Sequence, residues 1–196
     1  MDICVFQGTF NPIHNAHLRI AEYTLKNLAT EGVIFIPAYC PPHKESVNSM
    51  AQHRYNMVEA AIKYNPKFYI SDIEYRRKGK SYTYLTICEL IEKFKPANKI
   101  KFIIGTDAFR KIETWYEADK LKTLVDFLVF PRENKFCKND LNYLAEKGYN
   151  FTIIPLEFED VSSTKLRSSI KCGKPLHKYL PQKVEEYIKE NDLYKD

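Results

Sequence analysis

The sequence predicts an α/β fold in which a parallel sheet carries helices on both faces. Three observations lead there. Runs such as Val33-Ile34-Phe35-Ile36 and Ile100 to Ile104 are apolar almost throughout rather than alternating, as strands buried on both faces are. Segments with helical apolar spacing stand between them. Three motifs fall at the starts of helices or the ends of strands: Gly8-Thr9, Gly105-Thr106-Asp107 and Ser162-Ser163-Thr164. In such sheets, ligands bind beyond the carboxyl ends of the strands.

The elements follow in order. Ile3 to Phe6 reads as a first buried strand, followed by Gly8-Thr9, Pro12 and two histidines three apart. Ala16 to Leu28 has helical spacing through Leu18, Ile20, Ala21, Leu25 and Leu28. Val33 to Ile36 is a strand ended by Pro37. Cys40-Pro41-Pro42-His43-Lys44 is a stiff loop, because two prolines fix φ and remove donors. Residues 50–64 are helical through Met50, Tyr55, Met57, Val58, Ala61 and Ile62. Phe68 to Ile73 is strand-like, and Arg76 to Lys80 is a basic turn around Gly79. A helix over 82–94 precedes the strand Ile100 to Ile104. Residues 108–122 read as helix broken near Trp115, then Phe127 to Phe130 as a strand ended by Pro131. Residues 139–147 are helical and Phe151 to Ile154 strand-like. Ser162-Ser163-Thr164 caps a helix from near Lys165, and Pro181 opens a last helix to about Tyr194.

Size and composition set bounds. The 196 residues fit one domain, with the helical part from about 162 to 196 packed on it. At 44% hydrophobic and 14% aromatic, the chain can fill a sizeable core. A net charge of +5 suits a polyanionic small ligand without calling for nucleic acid. The five cysteines are odd in number and form no Cys-x-x-Cys, and no signal peptide precedes the first strand. The expectation is free thiols in a reducing cytoplasm. No apolar run approaches the roughly 18 residues of a membrane span. The oligomeric state stays open, a homo-oligomer included.

The first turn points to phosphate. A helix N-terminus has unpartnered N–H groups and a positive dipole end, so it favours anions. His14 and His17 share a face there and can stabilise charge developing on a phosphoryl group. The bland alternative is a structural pair. Zinc is another, but His-x-x-His needs further ligands, and only Cys40 and His43 stand out. Ser162-Ser163-Thr164 with Arg167 one turn on reads as an ordinary cap or as a second phosphate cradle. Lys44 after the Pro-Pro loop and Arg132 after Phe130-Pro131 are further candidate phosphate contacts, each with a surface charge as its bland alternative. Trp115, the only tryptophan, fits the core or a stacking platform for a flat heterocycle. Asp107 fits a helix cap or a ribose contact.

Together these residues resemble a known family. Gly8-Thr9-Phe10-Asn11-Pro12-Ile13-His14-Asn15-Ala16-His17 is similar to the Gly-x-Phe-Asp-Pro-x-His-x-Gly-His signature of adenylyltransferase-type nucleotidyltransferases. Ser162 to Arg167 resembles their Ser-Ser-Thr-x-Ile-Arg phosphate motif. Pro41-Pro42-His43-Lys44, Arg54-x-x-Met57, Gly79 to Thr83, Gly105 to Tyr116 and the tail from Tyr179 to Tyr194 narrow the resemblance to bacterial nicotinate-nucleotide adenylyltransferases. Gln7, Asn11 and Ala16 depart from that pattern, which usually has glycine, aspartate and glycine there.

The resemblance implies a Rossmann-like nucleotidyltransferase fold. It implies transfer of AMP from ATP to nicotinate mononucleotide, with Mg²⁺ bound through the substrate phosphates and no dedicated metal cage. By that analogy His14, His17 and Arg167 are catalytic. Gly8, Thr9, Phe10, Gly105, Asp107, Ser163, Thr164 and Arg167 bind ATP. Lys44, Thr83, Trp115 and Tyr116 bind the mononucleotide, with backbone N–H groups near Thr83 and Tyr116 receiving its carboxylate. No nucleic-acid or membrane partner is implied. The rivals are a nicotinamide-preferring or dual-specificity enzyme, a pantetheine-phosphate adenylyltransferase, a metal-binding regulator, and a silent nucleotide- or RNA-binding protein contacting RNA through Arg76-Arg77-Lys78.

Overall fold

The computed structural model describes residues 2–42, 50–133, 136–156 and 161–195. Six strands form one sheet: β1 (Ile3–Gly8), β2 (Gly32–Pro37), β3 (Phe68–Ile70), β4 (Ile100–Gly105), β5 (Val125–Phe130) and β6 (Phe151–Ile153). Their order is β3-β2-β1-β4-β5-β6, and every adjacent pair is parallel. The chain order reverses between β1 and β4, so the switch point lies where Gly8 and Gly105 end their strands.

Helices cover both faces. They are α1 (Asn15–Asn27), α2 (Ala51–Ile62), α3 (Ile73–Arg77), α4 (Thr83–Phe94), α5 (Thr106–Phe109), α6 (Ala118–Leu124), α7 (Asn142–Glu146), α8 (Ser163–Lys171) and α9 (Gln182–Glu190). Successive strand residues point to opposite faces, and β1 sorts accordingly. Cys4 and Phe6 join a core with Ala21 of α1, Met57 of α2, Leu166 of α8 and Val184 of α9. Ile3 and Val5 join the opposite core with Ile87 of α4, Phe109 of α5 and Leu121 of α6. The C-terminal helices thus belong to the same face as α1, which carries His17.

Five expected elements differ. The strand from Phe68 stops at Ile70, and Ile73 opens α3 instead of closing a strand. Asp72 holds that turn through the Arg76 N–H and an ion pair with the Arg76 side chain at 3.0 Å. So residues 76–77 finish a helix, and the basic turn begins only at Lys78. Residues 108–122 divide into α5, a 3-10 turn at Ile112–Thr114 and α6, with Glu117 left-handed at φ 54°. Residues 139–147 divide into a 3-10 turn at Lys138–Leu141 and α7. The last helix ends at Glu190, because Asp192 and Tyr194 take positive φ. Ser162 caps α8 as expected, its Oγ accepting from the Lys165 N–H at 3.2 Å.

All five cysteines are free thiols. Among the described residues no helix is long and apolar enough to cross a membrane.

Candidate active site

The turn between β1 and α1 sets two imidazoles in fixed order. His14 precedes α1 and is buried; His17 sits one turn later, half-buried. Their ring centroids are 3.7 Å apart at 30°. The backbone N–H of His14 donates to Nδ1 of His17 at 3.2 Å. Nδ1 is therefore an acceptor, and the neutral ring carries its proton on Nε2. Phe10 meets the His17 ring edge-on at 5.2 Å, and Phe6 does so at 5.7 Å. Both nitrogens of His14 are buried without a partner among the described residues, an arrangement suited to a polar ligand.

Burial and positive charge keep both rings neutral. Burial first, and then the Arg132 guanidinium, push His14 down to about 3. His17 is held well below the ordinary histidine value by burial, by His14 and by Arg132. Arg132 lines one pocket with His14, His17, Arg19, Phe130 and Val161. Its charge thus faces the imidazoles.

The second strand end joins this site. Thr106 Oγ1 accepts from the Arg132 N–H at 3.1 Å, and the Arg132 guanidinium reaches Asp107 at 3.4 Å. Asp107 makes no cap bond to α5 and remains exposed to solvent. A Cβ on Gly105 would lie 2.6 Å from Arg132 Cδ and 2.7 Å from Asp107 Oδ1. Glycine there leaves room for the arginine to pass.

The third motif closes on the first. Ser163 Oγ donates to the Pro12 carbonyl at 3.0 Å, and Arg167 donates to the Asn11 carbonyl at 2.9 Å and to Thr164 Oγ1 at 3.3 Å. The two motifs, some 150 residues apart, thus form one cradle. Gly8 fits tightly, since a Cβ there would press on the Phe10 ring at 3.1 Å. Thr9 is held through its carbonyl, which accepts from Arg54 at 2.9 Å.

The candidate mononucleotide residues lie on the other sheet face. Thr83 is the first residue of α4 and has no intrahelical partner for its N–H. Tyr82, the residue before Thr83, stacks on Tyr116 with ring centroids 4.6 Å apart at 29°. Trp115 packs edge-on to Phe102 at 6.4 Å and stays partly accessible, so it serves the core and still offers a surface. Lys44 and His43 lie outside the described residues.

Two buried groups had no role in the sequence reading, although Arg54 stood in the Arg54-x-x-Met57 motif of the resemblance. Arg54 is fully buried and donates to the carbonyls of Thr9, Ala38 and Tyr39. The signal was present: a charged residue within the apolar stripe of α2, in register with Ala51, Met57 and Val58. Glu74, also buried, accepts from Gln7 Nε2 at 2.5 Å, Thr86 Oγ1 at 2.7 Å and the Tyr39 N–H at 3.1 Å. It ties the end of β1 to the first turn of α4. No local pattern marks Glu74, because its partners come from three distant segments.

Fold and site define an α/β protein that gathers helix N-termini, two imidazoles and guanidinium groups at a strand switch point. The cytidylyltransferase-like family model matches residues 5–169. A protein named probable nicotinate-nucleotide adenylyltransferase from Clostridium botulinum (strain Kyoto / Type A2) is 39% identical, over 97% of this chain and 98% of its own. A protein of the same name from Syntrophotalea carbinolica is 36% identical over 100% and 98%. Among solved structures, Plasmodium falciparum nicotinic acid mononucleotide adenylyltransferase complexed with NaAD superposes with a TM-score of 0.80. It is 22% identical, over 98% of this chain and 97% of that one. The chain belongs to the cytidylyltransferase-like family and, within it, to the nicotinate-nucleotide adenylyltransferases.

Proposed function

We propose that this chain transfers AMP from ATP to nicotinate mononucleotide, forming nicotinate adenine dinucleotide and pyrophosphate in NAD biosynthesis. The observation that carries the reading is the His14–His17 pair, locked at the switch point of a chain of this family.

The mononucleotide 5′-phosphate attacks the α-phosphorus of ATP in line. An O–P bond forms as the bond to pyrophosphate breaks, and the pyrophosphate keeps the electron pair. The nucleophile is already anionic, so positioning and charge stabilisation supply the catalysis. His17 donates from Nε2 to the developing phosphoryl charge, with His14 beside it. Thr9, Ser163, Thr164 and Arg167 hold the triphosphate, with the N-terminal turn Gly8 to Phe10. Gly105 and Asp107 hold the adenosine ribose, and Arg132 adds a cation beside the imidazoles. Among the described residues no three His, Cys, Asp or Glu side chains are clustered as metal ligands. Mg²⁺ belongs with the ATP phosphates, whose oxygens are its ordinary ligands.

Trp115 stacks on the pyridine ring. The N–H groups of Thr83 and Tyr116 receive its carboxylate, whereas the amide analogue would direct an NH₂ donor at one of them. The acid is therefore the preferred substrate. The reading places the protein in the cytoplasm and gives it no nucleic-acid or membrane partner.

Pyrophosphate release with Mg²⁺ and ATP tests this, with nicotinate and nicotinamide mononucleotides in parallel. Preference for the acid is the expected result. Equal use of both would discard the carboxylate site while keeping the transfer. Release with neither would overturn the activity.

A further inference from the structure

The phosphate turn is held from behind by the far end of the chain. The Asn15 N–H donates to the Tyr179 carbonyl at 2.8 Å, and Asn15 Nδ2 donates to the Lys178 carbonyl at 3.1 Å. Ser163 and Arg167 take the carbonyls of Pro12 and Asn11. One contact reaches a side chain of the turn: Tyr194 Oη against Asn11 Oδ1 at 2.5 Å. An amide oxygen only accepts, so the phenol donates and the amide orientation follows, with Nδ2 turned away from Tyr194.

The backbone around Tyr194 is shaped for this contact. Segments near chain termini ordinarily fray. Here Asp192 and Tyr194 both take left-handed φ, 50° and 65°, which is unfavourable for non-glycine residues. Between them Leu193 is buried in the core with α2 and α9, and its N–H donates to the Ile188 carbonyl at 3.0 Å. Leu193 anchors the segment, and the two unfavourable dihedrals deliver a phenol to Asn11. Burial of Tyr194 outweighs the opposing pull of Arg167 and Arg54 and raises its phenol pKa, so it stays a donor at neutral pH.

We propose that Tyr194 is a positioning residue for the ATP phosphates. Its hydroxyl fixes the Asn11 side chain, and with it the Asn11–Asn15 segment that carries His14 and receives Arg167. The inference rests on the proposed adenylyl transfer only for the identity of the anion.

Tyr194→Phe removes the hydroxyl and keeps the ring. ATP affinity is read by calorimetry with Mg²⁺ and no acceptor, beside full kinetics with both substrates and a thermal melt. One neutral hydrogen bond corresponds to about a threefold to tenfold effect. The expected result is an ATP affinity lower, or a KM for ATP higher, by that factor. KM for nicotinate mononucleotide should stay within about twofold, with no matching loss of melting temperature. In an Asn11→Ala background, Tyr194→Phe should have no further effect. Equal ATP affinity in the wild type and Tyr194→Phe would overturn the proposal, as would an undiminished loss in the Asn11→Ala background. A wild type that binds ATP but does not turn over nicotinate mononucleotide would sink the proposed function. The Tyr194 comparison would still be decided by ATP binding.

Discussion

The backbone N–H of His14 donates to the Nδ1 of His17 across 3.2 Å, so the first histidine's main chain dictates the second's tautomer. The proton on the neutral His17 ring is thereby left at Nε2. A hydrogen bond that belongs to the helix start thus prepares a side-chain donor for the ligand.

His17→Ala removes that donor. Turnover should fall at least about a hundredfold, the scale of one lost electrostatic stabiliser. Pyrophosphate release by the folded variant checks this. Turnover near that of the wild type would end the assigned role.

The two depressed histidine pKa values make stability depend on pH. Unfolded histidine protonates near 6.5, whereas native His14 does so only at about 3, and native His17 also well below 6.5. Between those limits the unfolded chain binds more protons, so stability rises with pH. The contribution is complete above about pH 6.5 and is lost progressively as pH falls toward 3. Denaturant melts from pH 7 to 4 should show the decline, and His14→Phe should flatten it. An unchanged slope in that variant would mean that His14 titrates normally in the folded protein.

Trp115 is accessible on one side and packed against Phe102 on the other. Trp115→Ala should raise KM for nicotinate mononucleotide more than KM for ATP. Steady-state kinetics varying each substrate in turn give the answer. Equal rises would assign Trp115 to packing alone.

Arg54→Met keeps volume but abandons three carbonyls, that of Ala38 buried and those of Thr9 and Tyr39 partly buried. An unpaired buried group costs about 1–3 kcal/mol, so a loss of roughly 2 kcal/mol or more is expected. Urea denaturation measures it. A loss below about 1 kcal/mol would show that the loops find other donors.

The sheet was legible because strands buried on both faces write themselves as apolar runs, and each of the six appears within a few residues of its expected place. Strand order was not, because Gly8 and Gly105 become neighbours only through crossovers. The Gly8 to His17 and Ser162 to Arg167 motifs were legible as local patterns, and the structure joins them through Ser163–Pro12 and Arg167–Asn11. Arg132 read as a candidate phosphate contact whose bland alternative is a surface charge, and its charge faces both imidazoles. Ile73 read as the end of a strand and Arg76-Arg77 as a turn, because Ile73 is buried by a helical turn rather than by pairing with β2. Arg54 and Glu74 depended on partners that no local window contains.

The bonds of Ser163, Arg167, Lys178 and Tyr194 with residues 11–15 span between 151 and 183 positions. Contacts between such distant residues slow folding, because the loop must close before they reward it. Both imidazoles are synthesised well before Ser163 and Arg167, so a nascent chain halted between them carries the histidines without the frame that holds their turn.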